Sequence, residues 1–442
     1  MAEGLANALF GDDELARLFT EAAEVYAMVA VEAALARVEG RQKLIPAAAA
    51  TAIERTQPAI DFAALRAGME ASGVPTIALL VEFRKALDDA AASALHFGAT
   101  SQDIMDTGLV LRLRDAFAIL DVRLSDVIDA LAGLAGKHRA TVMLARTRWQ
   151  HALPTTFGAK VANWMGPLIR HQQRLAELLP RLLAVQLGGA AGTLSAMGPQ
   201  GVRVMEDLAQ ELSLSCPAAP WHVQRDSVIE AGQWLALVAG SFGKIGLDVA
   251  LLAQSEIAEI AESGQSGRGE SSTLPQKINP VVSDVMVSIA RQLAAHAGVL
   301  HQAALAENER GASAWQLEWL NLPAMIELTG ASLRHAQFLA RNLAVDTQRM
   351  RANLDGANGL YLAEAATFAL ADHTKRSDAK RLVKEAVARS RAENRHFIDC
   401  LAELTNAPVA WDRLRDPGNA CGVASEFIDR TLAGIGKAKS RP

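Results

Sequence analysis

Between Leu113 and Leu134 the apolar side chains recur as Leu113, Phe117, Leu120, Leu124, Val127, Leu131 and Leu134. The steps alternate between four and three residues, the seam spacing of a long helix in a bundle. Helical periodicity of this kind runs through nearly the whole chain and predicts further long helices over roughly 158–185, 226–263, 281–307 and 320–345. Ala and Leu dominate a composition that is 50% hydrophobic and 5% aromatic, which favours helix over strand. The expected fold class is all-α. Asp103 and Asp106, just upstream of the seam, suit the positive end of its helix. Several helices are apolar almost all round, so association between chains is expected to cover them.

Breaks punctuate the pattern at SGVP (Ser72–Pro75), HFGATSQD (His96–Asp103), QLGGAAGTLSAMGPQG (Gln186–Gly201), NLDGANGL (Asn353–Leu360) and DPGNACG (Asp416–Gly422). They suggest an N-terminal helical domain over 1–105, a central long-helix bundle over 106–350 and a C-terminal helical domain over 351–442. The net charge of -5 offers no basic excess, so neither nucleic acid nor a membrane is an expected partner. Cys216, Cys400 and Cys421 lie far apart and form no CxxC pair, which fits a reducing cytoplasm. The start, MAEGLANALFGDDELARLF, carries early acids and does not read as a secretory signal. The apolar stretch Trp234–Gln254 contains Lys244 and Asp248 and reads as a buried bundle helix rather than a membrane span. The ten histidines form no HExxH or similar cluster, and neither a metal nor an organic cofactor is expected.

Three polar segments interrupt the helices. GATSQD (Gly98–Asp103) presents Thr100, Ser101 and Gln102 where a long helix begins. Unpaired N–H groups at a helix start can bind an anion, and the same residues can equally be an ordinary cap. ARTRWQHALPTTFG (Ala145–Gly158) carries Arg146, Thr147, Arg148, Gln150 and His151. Its two arginines can grip carboxylates through forked hydrogen bonds, and a histidine titrates near neutrality. GRGESSTLPQKINP (Gly267–Pro280), with Gly264 just ahead of it, combines bends with Ser271, Lys277 and Asn279. A hydroxyl, a cation and an amide suit an anionic substrate that exchanges a proton, although a plain surface loop would look similar.

These three segments together resemble the signature regions of the fumarase/aspartase superfamily, and the resemblance covers almost the whole chain. SSTLPQKINP is similar to that family's SSxMPxKxNP, with Leu274 in place of Met and Glu270 in place of the Gly before the serine pair. The resemblance implies three helical domains with a long central bundle. It also implies a homotetramer, whose composite sites draw each segment from a different subunit. Ser271 then stands where the proton on carbon is handled, and Lys277 and Asn279 hold a carboxylate as it becomes enolate-like. A Ser hydroxyl is a poor base, so Lys277 or the loop backbone must stabilise its alkoxide.

GATSQD and PTTFG look like the branch containing adenylosuccinate lyase, but two departures point elsewhere. That branch reads RTH in the second segment, with the His protonating the leaving group. Here the sequence is Arg146-Thr147-Arg148, and arginine cannot shuttle a proton. The branch also binds a phosphate with a Ser and an Arg five and nine residues after the position of Arg310, where this chain has Trp315 and Trp319. Those tryptophans make a smaller, more apolar pocket, or simply pack in the core at i,i+4. PWHVQRD (Pro220–Asp226) resembles a stretch of the lactonising branch, where His222 and Arg225 either reach the site or support it. The implied reaction is intramolecular: one carboxylate of a 3-carboxy- or 3-sulfo-cis,cis-muconate closes a lactone, a step of the β-ketoadipate route of aromatic catabolism. The resemblance assigns catalysis to Ser271, His151 and Lys277, with Ser271 and His151 as rival proton donors. Substrate binding falls to Thr100, Ser101, Gln102, Thr147, Arg148, Gln150, Asn279, Arg310 and Trp315. A fumarate-releasing lyase and a non-enzymatic structural role are the alternatives.

Overall fold

Long helices carry the fold in the computed structural model, which describes residues 4–263 and 267–439; Gly264, one of the bending glycines, lies outside them. They are α1 (Glu21–Arg41), α2 (Ser101–Lys137), α3 (Phe157–Leu182), α4 (Asp226–Leu252), α5 (Val281–His301) and α6 (Ser313–Asn342). The all-α expectation holds. The additions are two antiparallel ribbons, β1 (Val142–Thr147) with β2 (Gln150–Thr156), and β3 (Ile260–Glu262) with β4 (Leu343–Val345). Leu113, Phe117, Leu120, Leu124, Val127 and Leu131 of the α2 seam are all buried. Full burial of one such side chain contributes roughly 1.5–3 kcal/mol.

Packing divides the chain into two units. The first holds the residues up to Arg123, His171–Gly240 and Ser288–Arg334. Helix α1 starts where Thr20 Oγ1 accepts the Ala23 N–H at 3.2 Å. Its Val25, Met28, Leu35 and Val38 join Ile53, Phe83, Ile104 and Leu208 in one apolar core. Gly40 lets the helix Ala47–Arg55 approach closely, since a Cβ there would stand 2.5 Å from that of Ala50.

The second unit holds Leu124–Arg170, Ser241–Val287 and the residues from His335 onward. Leu144 of β1 packs with Leu354, Leu362, Leu370, Phe397 and Leu401 of the C-terminal helices. The polar break at Ala145–Gly158 falls mostly within a β-hairpin that spans Val142–Thr156, and Phe157 already begins α3. Alternating Val, Leu and Thr positions favour extended backbone once one face is covered. Helix α4 stops at Leu252, short of the expected 263. Ala258 takes a left-handed φ of 49°, and the chain turns so that Glu259 and Ile260 are buried. Tertiary burial, with no Gly or Pro, ends this helix. Helix α6 begins at Ser313, ahead of the expected 320, and carries Pro323 within it. Helix α4 is long and apolar enough to cross a bilayer by length and composition. Its Asp248 accepts the Trp164 indole N–H at 2.8 Å and is ion-paired with Lys244 and Lys160.

Candidate active site

In the first unit the site is organised by Asp103. Its carboxylate is fully buried and accepts N–H groups from Gln186 (3.0 Å), Gly188 (3.0 Å), Gly189 (2.9 Å) and Thr100 (3.1 Å). Burial pushes this carboxyl up, and the four donors pull against that. Asp103 lies in the first turn of α2, at the positive end of the helix as expected. It closes half of a capping box on Thr100 and fastens the Gly-rich segment after Gln186 to the helix start. The Thr100 and Ser101 hydroxyls stay half-buried at that start.

Around this anchor Gln102, His222 and Arg310 converge. Gln102 Nε2 donates to the His222 carbonyl at 3.0 Å, and an Arg310 N–H donates to the Gly189 carbonyl at 3.0 Å. Gly192, at a φ of 77°, lies flat against the His222 ring, where a Cβ would sit 2.6 Å from Cε1. Burial, then the Arg310 charge, holds His222 below the usual imidazole range. Three buried polar atoms here have no protein partner: Gln102 Oε1, His222 Nδ1 and Arg310 Nε. Buried polar groups are rarely left unpaired, so these three atoms keep the capacity to bond a ligand or a water.

Trp315 lines a cavity of about 140 Å³ with Met105, Asp106 and Trp319. It is buried, its Nε1–H donates to Asp106 Oδ1 at 3.0 Å, and its ring meets Trp319 edge-on at 4.7 Å. Asp106 and Glu318 share the buried guanidinium of Arg225, with Asp106 at 2.7 and 3.1 Å and Glu318 at 2.7 Å through Nε. Trp221 covers that guanidinium at 4.7 Å. Arg225 is thus a support, held firmly charged by the two carboxylates despite its burial.

In the second unit, Thr147, Arg148, Gln150 and His151 stand exposed at the end of the hairpin. Thr147 faces Gln150 and Arg146 faces His151 across the ribbon. Arg148 and Trp149 form the turn with φ of 49° and 70°, a left-handed pair that usually calls for Asn-Gly. Trp149 is 80% exposed. The two arginines separate in role. Arg146 grips the buried Glu259 through two bonds of 3.0 and 2.8 Å and is not free for substrate, whereas Arg148 lines a cavity of about 710 Å³ with Trp149, Lys160, Lys244 and Asp248. Burial, then Arg146, holds His151 below the usual imidazole range.

The Gly267–Pro280 loop closes at its neck. Gly269 carries a φ of 75°, and its carbonyl accepts both the backbone N–H (2.8 Å) and the Nδ2 (3.0 Å) of Asn279. Glu270 bridges to Ile278 beside them. Position 270 is not left-handed, so the family's Gly is dispensable there and Glu is accommodated. Ser271 Oγ accepts the backbone N–H groups of Thr273 (3.3 Å) and Leu274 (3.1 Å). Lys277 is exposed. Asn279 Nδ2 is engaged in the loop neck.

One unit thus brings together Thr100, Ser101, Gln102 and Arg310, with His222 added, and places Trp315 in the core. The other holds the hairpin residues and the Ser271–Asn279 loop. Asp103 and Glu259 were not singled out as site residues, because their partners lie 86 and 113 residues away in sequence. Among the described residues no group of three His, Cys, Asp or Glu side chains is placed to hold a metal ion.

Comparison with known proteins gives a consistent picture. The family model described as lyase matches residues 9–294. A 3-carboxy-cis,cis-muconate cycloisomerase of Pseudomonas aeruginosa is 41% identical over 98% of this chain and 96% of its own. One of Bradyrhizobium diazoefficiens is 43% identical over 92% of each chain. The crystal structure of the 3-carboxy-cis,cis-muconate lactonizing enzyme of Pseudomonas putida superimposes with a TM-score of 0.91 at 38% identity, covering 99% of this chain and 100% of that one.

Proposed function

This chain belongs to the lyase family within the fumarase/aspartase superfamily, and from that membership we propose that it lactonises 3-carboxy-cis,cis-muconate. It is a cycloisomerase, an intramolecular lyase. One terminal carboxylate attacks an alkene carbon, the negative charge moves into the carboxylate conjugated with that alkene, and a proton is delivered to the carbon alpha to it. The observation that carries this reading is Ser271 Oγ on the Thr273 and Leu274 N–H groups. These donors stabilise the alkoxide and so let a hydroxyl exchange a proton with carbon. Lys277 supplies a fixed charge near that chemistry, and Arg148, Thr147 and Gln150 orient carboxylates from the hairpin. Arg148, standing where the fumarate-releasing branch keeps an acid, favours a carboxylate as the group added over an amine released. Muconates and adenylosuccinate offered side by side separate the readings: lactone from the carboxylated muconate supports this one, and fumarate from adenylosuccinate defeats it.

The assembly belongs to the same proposal. Leu237, Leu247, Val299 and Leu320 on α4, α5 and α6 are 50%, 44%, 41% and 73% exposed, apolar surface that further copies of the chain would cover. We read the assembly as a homotetramer with each site composed from three subunits, and the three domains of 1–105, 106–350 and 351–442 as its building blocks. Mixing Ser271→Ala and Arg310→Ala subunits tests this. A composite site regains part of the wild-type rate on mixing, and a site within one chain does not. The free cysteines Cys216, Cys400 and Cys421 accord with a cytoplasmic enzyme.

A further inference from the structure

The PWHVQRD segment is held at both sides of His222. The Trp221 N–H donates to Gln186 Oε1 at 2.7 Å and its indole to the Val185 carbonyl at 3.0 Å. Arg225 is locked between Asp106 and Glu318. The His222 carbonyl takes Gln102 Nε2, and Gly192 closes one ring face. A side chain held this firmly, 8% exposed, still ends on an Nδ1 atom with no protein partner. Gln102 Oε1 and Arg310 Nε, also unpartnered, belong to the same cluster. The ring's other nitrogen bonds the Glu309 backbone, so Nδ1 is the end left to a further partner.

We propose that His222 Nδ1 is a direct contact to a carboxylate of the substrate, and that binding this carboxylate loads one proton onto the ring. The inference rests on the reading of this chain as an enzyme of a di- or tricarboxylate. Its chemistry follows from the donor set. The Glu309 backbone takes the proton of the other ring nitrogen, so a neutral ring presents a lone pair at Nδ1 that repels a carboxylate oxygen, whereas a protonated ring donates there. Arg310 Nε is always a donor. Gln102 Oε1 is an acceptor beside them, and it disfavours a second carboxylate oxygen on its own side, which fixes the bound orientation. The charged groups facing the ring are Arg310 from the segment before α6, Arg225 from its own segment and Asp106 from α2; the Leu187–Gly201 stretch brings none. The two cations and burial keep the ring neutral until an anion arrives, so the proton comes from solvent with the ligand.

Calorimetric titration of the assembled enzyme with tricarballylate, an unreactive tricarboxylate, in two buffers of different ionisation enthalpy reads that proton directly. The expected result is net proton uptake on binding at pH ~8, where the free ring is neutral and tricarballylate is fully ionised. His222→Gln keeps a donor without a titrating group, so it binds with no uptake and a flat pH profile. His222→Phe weakens binding by roughly tenfold or more and raises KM more than it lowers kcat. Thermal melts check that both variants fold. Equal uptake in wild type and His222→Gln, wild-type affinity in a folded His222→Phe, or no binding of tricarballylate overturns the inference. Lactone formation by the wild type is scored separately, so a different reaction on a carboxylate would leave the proton measurement valid.

Discussion

Ser271 and Leu274 are joined by a hydrogen bond of 3.1 Å, in which the serine oxygen is the acceptor and the loop backbone the donor. A hydroxyl arranged this way gives up its proton more readily, because its oxyanion is already solvated by the chain. Ser271→Ala should lower kcat for muconate lactonisation by roughly 10²–10⁴-fold with little change in thermal stability. Ser272→Ala, one residue on, should cost far less. Steady-state rates of the two variants decide this, and comparable losses would move the proton transfer away from Ser271.

The bidentate Arg146–Glu259 pair fastens the hairpin base to the turn after α4, and Asn353 Nδ2 adds a bond to the same carboxylate at 2.8 Å. Glu259 is completely buried. Arg146→Ala strands that carboxylate and should destabilise the protein by about 3–5 kcal/mol. Denaturant unfolding measures it. Arg148→Ala, two residues along, should leave the midpoint nearly unchanged while weakening substrate binding.

The Arg148–Trp149 turn holds two side chains in the left-handed region. Trp149→Gly relieves one of them and should raise stability by about 1 kcal/mol. If the turn geometry serves the site, the same variant raises KM. A thermal melt and a KM determination on one preparation check both halves.

Glu39 and Glu32 are both buried on α1, and Glu32 meets His96 Nδ1 at 2.6 Å. Burial, then the Glu32 charge, pushes the Glu39 carboxyl up to about 9 from its ordinary 4.5. The folded state thus keeps a proton that the unfolded chain releases. The stability from that proton is complete below pH 4.5 and is lost as pH rises towards 9, with a slope of at most ~1.4 kcal/mol per pH unit. Glu39→Gln should flatten this decline, which urea midpoints across that range would follow.

The seam from Leu113 to Leu131 was legible because its burial repeats locally, and so was the grouping of Ser271, Lys277 and Asn279 on one short loop. The roles of Arg146 and Arg148 were not separable in the sequence, where both are arginines beside Thr147. Glu259, 113 residues on, takes one and leaves the other. The stop of α4 at Leu252 has no local Gly or Pro signal, since burial of Glu259 and Ile260 sets it. The bond from the Trp315 N–H to Asp106 spans 209 residues and leaves no local signal. What escaped the sequence is in each case a partner chosen by the tertiary fold.

The most direct test of the account is the ultraviolet absorbance of 3-carboxy-cis,cis-muconate on addition of the purified protein, with the product identified by NMR. The account predicts loss of the diene absorbance and a single lactone with no cofactor added. An unchanged spectrum, or a product other than a lactone, would contradict it.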